Sequence, residues 1–219
     1  MEIVAEISGN HGGKLENALR LIRAAIDAGA DAVKFQCFDP ISLAHKRLGI
    51  VWEGTTPSLD ELICLYKRTH TPGHWFPKLI EECEDKIDWL SSVFDKHDVY
   101  YLERLGCPRY KISAYEMLDG DLIKAVVATG KPIIMSVRPR KGVTVLQATD
   151  YDGRIEPLGL SDHSGKDAIF VKSTCFGAPM VERHICLDDV KTPDSAFSLN
   201  PEQFTKFVQS CRNGDGHEQ

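Results

Sequence analysis

The sequence has no apolar run approaching the ~18 residues that a membrane-spanning helix needs, no Cys-x-x-Cys spacing and no block of like charge. The first absence speaks against a helical membrane span within it. The second, with an odd total of seven cysteines (Cys37, Cys64, Cys83, Cys107, Cys175, Cys186, Cys211), speaks against a disulfide framework and reads as reduced thiols. The third, at a net charge of −6 over 219 residues with acids and bases interspersed, leaves no footprint for nucleic acid or a membrane surface. Anionic ligands therefore have to be held locally by a few lysines and arginines. Met1-Glu2-Ile3-Val4 runs straight into a strand pattern and leaves no room for a signal peptide, so a cytoplasmic protein is expected.

What is present is a βα repeat. Ile3 to Ile7 is a compact apolar run. Leu15, Ala18, Leu19, Ile22, Ala25 and Ile26 follow at helical spacing as far as Gly29, and Ala32 to Gln36 forms a second strand. The closing punctuation recurs at Gly29-Ala30-Asp31, Gly106-Cys107-Pro108, Gly130-Lys131-Pro132 and Gly177-Ala178-Pro179, each a helix-ending glycine leading into a short strand. Further helices are expected over Ser58 to Arg68, Trp75 to Cys83, Val99 to Leu105 and Leu118 to Thr129, and a further strand over Ile87 to Ser92. Asp39 to about Thr56 lacks clear periodicity and reads as a loop. The strand ends carry Lys34 and Gln36, Lys111 and Ser113, Ser136, and His184. Polar residues at the C-terminal ends of several parallel strands are where a (β/α)8 barrel keeps its chemistry.

Leu158 to His184 reads as strand, loop, helix and strand, with Ser164 and Asp167 as a capping box. Parallel strands here put His163 and His184 at one edge of the sheet. Neutral imidazoles at such an edge can ligate a divalent cation, or simply cap their strands. One segment resists the repeat: about six residues separate the strand-like runs Pro132 to Ser136 and Val143 to Ala148, where a parallel crossover takes a dozen or more. Either two outer helices, after strands 5 and 6, are missing, or one strand is not parallel. Stripped-down connections are the favoured expectation.

Taken in order, Glu6-Ile7-Ser8-Gly9-Asn10-His11, Gly29 to Gln36, His70-Thr71-Pro72, Tyr110 to Ser113, Gly130 to Ser136, Gly159 to His163, Glu182-Arg183-His184 and Pro193 to Leu199 resemble the sialic-acid synthase family, and most closely its pseudaminic-acid branch. The resemblance implies a (β/α)8 TIM barrel in which phosphoenolpyruvate condenses with the open-chain aldehyde of an N-acylated amino-hexose. It implies a divalent metal, Mn²⁺ or Mg²⁺, on His163 and His184. It implies phosphoenolpyruvate binding by Lys34, Ser92, Lys111, Ser113, Ser136, Ser161 and Arg138, and sugar binding by Gln36, Glu116, Tyr151 and Asp194, with Glu6 handling protons. Asn10 and His11 either meet substrate or shape the first loop through local hydrogen bonds.

The chain departs from the pattern at Ala114, where the family places a serine, and at Val137-Arg138-Pro139-Arg140-Lys141. A single barrel domain over residues 1–211 with a disordered polar tail over 212–219 is expected, without the family's C-terminal antifreeze-like domain. The expected assembly is a homodimer, or a complex with a partner chain that supplies that domain. Two alternatives stay open: a smaller or phosphorylated aldehyde taken beside Arg138 and Arg140, and a non-catalytic barrel serving as a scaffold.

Overall fold

The computed structural model describes residues 1–50, 55–140, 143–149, 155–163 and 178–213, the side chains of 138–158 excepted. Eight strands close a barrel in sequential order: β1 (Glu2–Glu6), β2 (Ala32–Cys37), β3 (Asp88–Val93), β4 (Tyr110–Ile112), β5 (Ile133–Arg140), β6 (Val143–Thr149), β7 (Ile155–Asp162) and β8 (Met180–His184). The described helices outside it are α1 (Leu15–Asp27), α2 (Pro40–Arg47), α3 (Leu59–Thr69), α4 (Phe76–Cys83), α5 (Lys96–Glu103), α6 (Gly120–Ala128) and α7 (Pro201–Asn213).

α1 shows the logic of the repeat. Ala18, Leu21, Ile22 and Ala25 are buried along one face, and Gly29 ends the helix at φ +80°, a left-handed conformation that only glycine adopts without a Cβ clash. Gly106 and Gly130 do the same at φ +73° each. The fourth expected turn, at Gly177, and the helix opening at Ser164 lie outside the described residues. Asp31, in the turn after α1, accepts the Ile3 backbone N–H at 2.7 Å and so ties the turn to the bottom of β1.

Three expectations are corrected. First, β6 is antiparallel to both β5 and β7, whereas the other neighbouring strand pairs run parallel. Two residues separate β5 from β6 and five separate β6 from β7; such links suit hairpins and are far too short for crossovers. Second, the expected loop after β2 contains α2. Its Asp39 side chain accepts from the Ile41 and Ser42 N–H groups, with Pro40 at the first helical position, an N-terminal signature that outweighs weak periodicity. Third, the chain is not frayed from residue 212: α7 continues to Asn213, and Arg212 pairs with Asp31 at 2.7 Å and donates to the Met1 carbonyl at 2.9 Å.

The barrel interior is layered. Val4, Ala32, Leu90, Ile134 and Met180 form one buried apolar cluster. Two residues further along the same strands come Glu6, Lys34, Ser92, Ser136 and Glu182. Strand side chains alternate with period two, so residues i and i+2 share a face, and the polar ring stands directly on the apolar layer. Gly159 of β7 belongs to this lower level: a Cβ there would lie 1.8 Å from the Met180 carbonyl oxygen. Among the described residues no helix is long and apolar enough to cross a membrane.

Candidate active site

The polar ring floors a cavity of about 450 Å³ at the C-terminal mouth of the barrel, lined among others by Glu6, Lys34, Lys111, Ser136, His163 and His184. Strand register sets the neighbours: Glu6 lies beside both Lys34 and His184, Ser92 beside both Gln36 and Lys111, and Ser161 beside Glu182. Glu182 is the hub. One of its oxygens accepts from Lys111 Nζ at 2.6 Å and from Ser161 Oγ at 2.7 Å, and the other faces Lys34 Nζ at 3.6 Å. Lys34 also pairs with Glu6 and donates to Ser92 Oγ at 2.9 Å.

Burial governs the charge states here. It pushes the Lys34 ammonium down to about 7, opposed by Glu182 and reinforced by Lys111. For Glu182 burial acts upward, yet Lys111 and then Lys34 together hold the carboxyl well below its ordinary value. Taken as charges, the two ammoniums of this floor are matched by the two carboxylates of Glu6 and Glu182, so it has no surplus positive charge.

Beside the floor, His163 Nε2 and His184 Nε2 are 3.3 Å apart. Burial lowers both imidazole pKa values, which favours the neutral, metal-ligating form. Phe197 packs on both rings, with centroids at 5.4 and 4.9 Å. Two nitrogens held ~2.1 Å from one cation at a tetrahedral angle stand about 3.4 Å apart, so the pair fits a shared divalent ion. Among the described residues no cluster of three or more His, Cys, Asp or Glu side chains forms a fuller cage. Asp194 Oδ2 lies 3.9 Å from His184 Nδ1, the ring nitrogen not turned to His163; burial raises its carboxyl pKa.

Asp194 is set in place from the first loop. Ser8 Oγ donates to it at 2.6 Å, and Gln36 Nε2 donates to Ser8 Oγ at 3.0 Å. Asn10 Nδ2 donates to the Ile185 carbonyl at 2.8 Å and to Ser198 Oγ at 2.9 Å, while its carbonyl accepts from Thr192. Asn10 thus clips the segment after β8 over the mouth. His11 Nδ1 accepts the Gly13 N–H at 3.0 Å, and its ring meets Trp75 edge-on. Of their two readings, these contacts match the shaping of the loop.

Glu116 and Ser113 belong to a different wall. Ser113 Oγ donates to Glu116, and Glu116 pairs with Arg47 of α2, whose guanidinium carbon sits 4.6 Å above the centre of the Tyr115 ring. Ser113 and Arg47 line the cavity, with Glu116 buried behind them. The sequence reading missed Arg47, Ser8 and Phe197; the Asp39-Pro40 helix start was the available signal for the first of these. Arg138 lies in β5, but its side chain, like the whole of Tyr151, lies outside the described residues.

An eight-stranded barrel with lysines, hydroxyls and a histidine pair gathered around a cavity at the C-terminal rim defines the class: an enzyme-type barrel with its polar strand ends on one face. Within that class, the chain matches the NeuB family over residues 21–150 and 146–216. It is 32% identical to the pseudaminic acid synthase of Helicobacter pylori, over 96% of this chain and 73% of that protein. It is 30% identical to the pseudaminic acid synthase of Campylobacter jejuni serotype O:2, over 97% and 73% respectively. A crystal structure of the N-acetylneuraminic acid synthetase of Leptospira borgpetersenii in complex with citrate superposes with a TM-score of 0.78 at 24% identity, covering 99% of this chain and 85% of that one; this likeness speaks to the fold. The chain belongs to the NeuB family, whose curated members named here are enzymes.

The alignment to the Helicobacter protein runs over 250 positions, more than the 219 residues of the chain, so segments of that relative have no counterpart here. The two family matches meet at residues 146–150, at the end of the antiparallel strand β6.

Proposed function

We propose that the protein condenses phosphoenolpyruvate with the aldehyde of an N-acylated amino-hexose, giving a nonulosonic acid of the sialic or pseudaminic type and inorganic phosphate. The observation that carries this reading is the charge-matched Lys34–Glu6–Glu182–Lys111 floor lying next to a histidine pair. Such a floor has enough donors to orient a trianion but no surplus charge to neutralise it. His163 and His184 would hold a divalent cation, which would add positive charge beside the anion and Lewis acidity for polarising a carbonyl.

In this reading Lys34 and Lys111 hold the phosphate and carboxylate of phosphoenolpyruvate, and the Ser92, Ser136 and Ser161 hydroxyls fix its orientation. The methylene carbon forms the new bond to the aldehyde carbon as the carbonyl π pair passes to its oxygen, which takes a proton from solvent and becomes a hydroxyl. Glu6, buried on the floor, accepts a proton from the water that adds to the resulting cationic carbon and returns it to solvent. The tetrahedral product then expels phosphate, which carries off the remaining hydroxyl proton, and leaves a ketone. Gln36 and Asp194, bridged by Ser8, face the sugar.

The test follows phosphoenolpyruvate and phosphate by phosphorus NMR with Mn²⁺ and N-acetylmannosamine or a 6-deoxy-diacetamido-hexose. Phosphate release is expected only when sugar and cation are both present. Release at the same rate without sugar overturns the reading.

A further inference from the structure

The cavity has a second wall that the chemistry above leaves unused. Phe38 and Phe94, just past the ends of β2 and β3, Leu43 of α2, and Leu65 and Tyr66 of α3 line it, and most of these belong to a satellite apolar cluster separate from the main core. Within this wall stands one cation, Arg47, about 6% exposed overall. Burying an arginine is costly unless it is paired and hydrogen-bonded. Here Glu116 meets Nη2 and Ser113 secures the other oxygen of Glu116. The Tyr115 ring covers one guanidinium face.

The fold does not require this assembly. α2 already packs through Leu43 and Ala44, and an aliphatic side chain at position 47 would extend the same cluster without any desolvation. Three elements distant in sequence are instead used to hold a planar five-donor group in one orientation on a cavity wall. The Arg47–Glu116 pair is neutral as a unit, which suits an uncharged acceptor such as an amide carbonyl better than a second phosphate. The aromatic and aliphatic neighbours suit the methyl group attached to such a carbonyl.

We propose that Arg47 is the specificity-determining residue for the sugar, its guanidinium donating to the carbonyl oxygen of the substrate's N-acyl group while the α2–α3 apolar wall receives the acyl methyl. The inference rests on the condensation reading for the identity of the substrate, but not for its test. Glu116 and Tyr115 are positioning residues that act through Arg47.

The experiment measures equilibrium binding of N-acetylmannosamine and of mannose by calorimetry, with Mn²⁺ present. Wild type, Arg47→Lys, Arg47→Met and the charge-balanced Arg47→Met/Glu116→Gln protein are compared, each checked for folding by its melting curve. A charged hydrogen-bond donor removed from an amide acceptor predicts a loss of about 10- to 100-fold in affinity for the acetamido sugar in both Met-containing proteins, and a smaller loss in the Lys variant. Mannose binding and the affinity for phosphoenolpyruvate stay unchanged. Equal losses for both sugars, a loss confined to phosphoenolpyruvate, or no loss at all in the charge-balanced protein overturns the proposal. Parallel phosphorus NMR separates the two readings: if wild type binds the acetamido sugar through Arg47 yet consumes no phosphoenolpyruvate, condensation fails and the Arg47 assignment stands.

Discussion

His163, following the last residue of β7, and His184, the last of β8, turn their Nε2 atoms to within 3.3 Å of each other although they stand 21 positions apart. β7 and β8 run parallel, with Asp162 opposite Arg183, so the next residue on each strand is delivered to the same rim. A hydrogen bond between two neutral imidazoles and joint ligation of a cation both use this arrangement; metal binding tells them apart. The wild-type protein is expected to bind one Mn²⁺ per chain, as read by electron paramagnetic resonance, and His163→Ala and His184→Ala each to bind at least tenfold more weakly. Unchanged Mn²⁺ affinity in both variants would remove the cation from the site.

Glu182 lies between two ammonium groups and a hydroxyl, fully inside the barrel. Removing one partner from a buried ion pair costs on the order of 3–5 kcal/mol, because the remaining charge is left unmatched. Glu182→Gln is therefore expected to lower stability by that order in urea melts. A loss below about 1 kcal/mol would mean that water or a shifted Glu6 compensates.

Burial raises the Asp98 carboxyl from 3.8 to about 7, although the N–H groups of Phe94 and Asp95 act in the opposite direction. Between those pH values the unfolded chain has released a proton that the folded chain still holds. Stability from this group is present below about pH 4 and is lost as pH rises through about 7. Asp98→Asn keeps an acceptor for the two N–H groups but cannot ionise. Its melting temperature relative to wild type is expected to climb between pH 4 and 7; a pH-independent difference would show that Asp98 titrates normally.

Gly159→Ala tests the packing under the site. The added Cβ meets backbone rather than a movable side chain, and overpacking of this kind costs roughly 1–3 kcal/mol. The variant is expected to melt lower by several degrees and to weaken Mn²⁺ binding, because Ser161 follows on the same strand and His163 directly past its end. A variant as stable as wild type would show that β7 shifts away from β8 freely.

Much of this architecture was legible as local chemistry. Helix-ending glycines at 29, 106 and 130 and period-two strands are local rules, and they were sufficient to place Lys34, Lys111, Ser136 and His184 at strand ends on one rim. The short span between Ser136 and Val143 also marked where the repeat breaks, but not how. A short link is compatible with a stripped parallel connection or a hairpin, and only the ladder between β5 and β6 decides the direction.

The sequence by itself determined which residues end each strand, because backbone geometry assigns alternate side chains to alternate faces whatever the rest of the chain does. Tertiary structure alone decided which of those ends touch. The pairing of Arg47 with Glu116, the sharing of Glu182 by two lysines and the clip from Asn10 to the segment after β8 depend on closure of the barrel, which brings residues up to 188 positions apart within a hydrogen bond. No local periodicity carries that distance information.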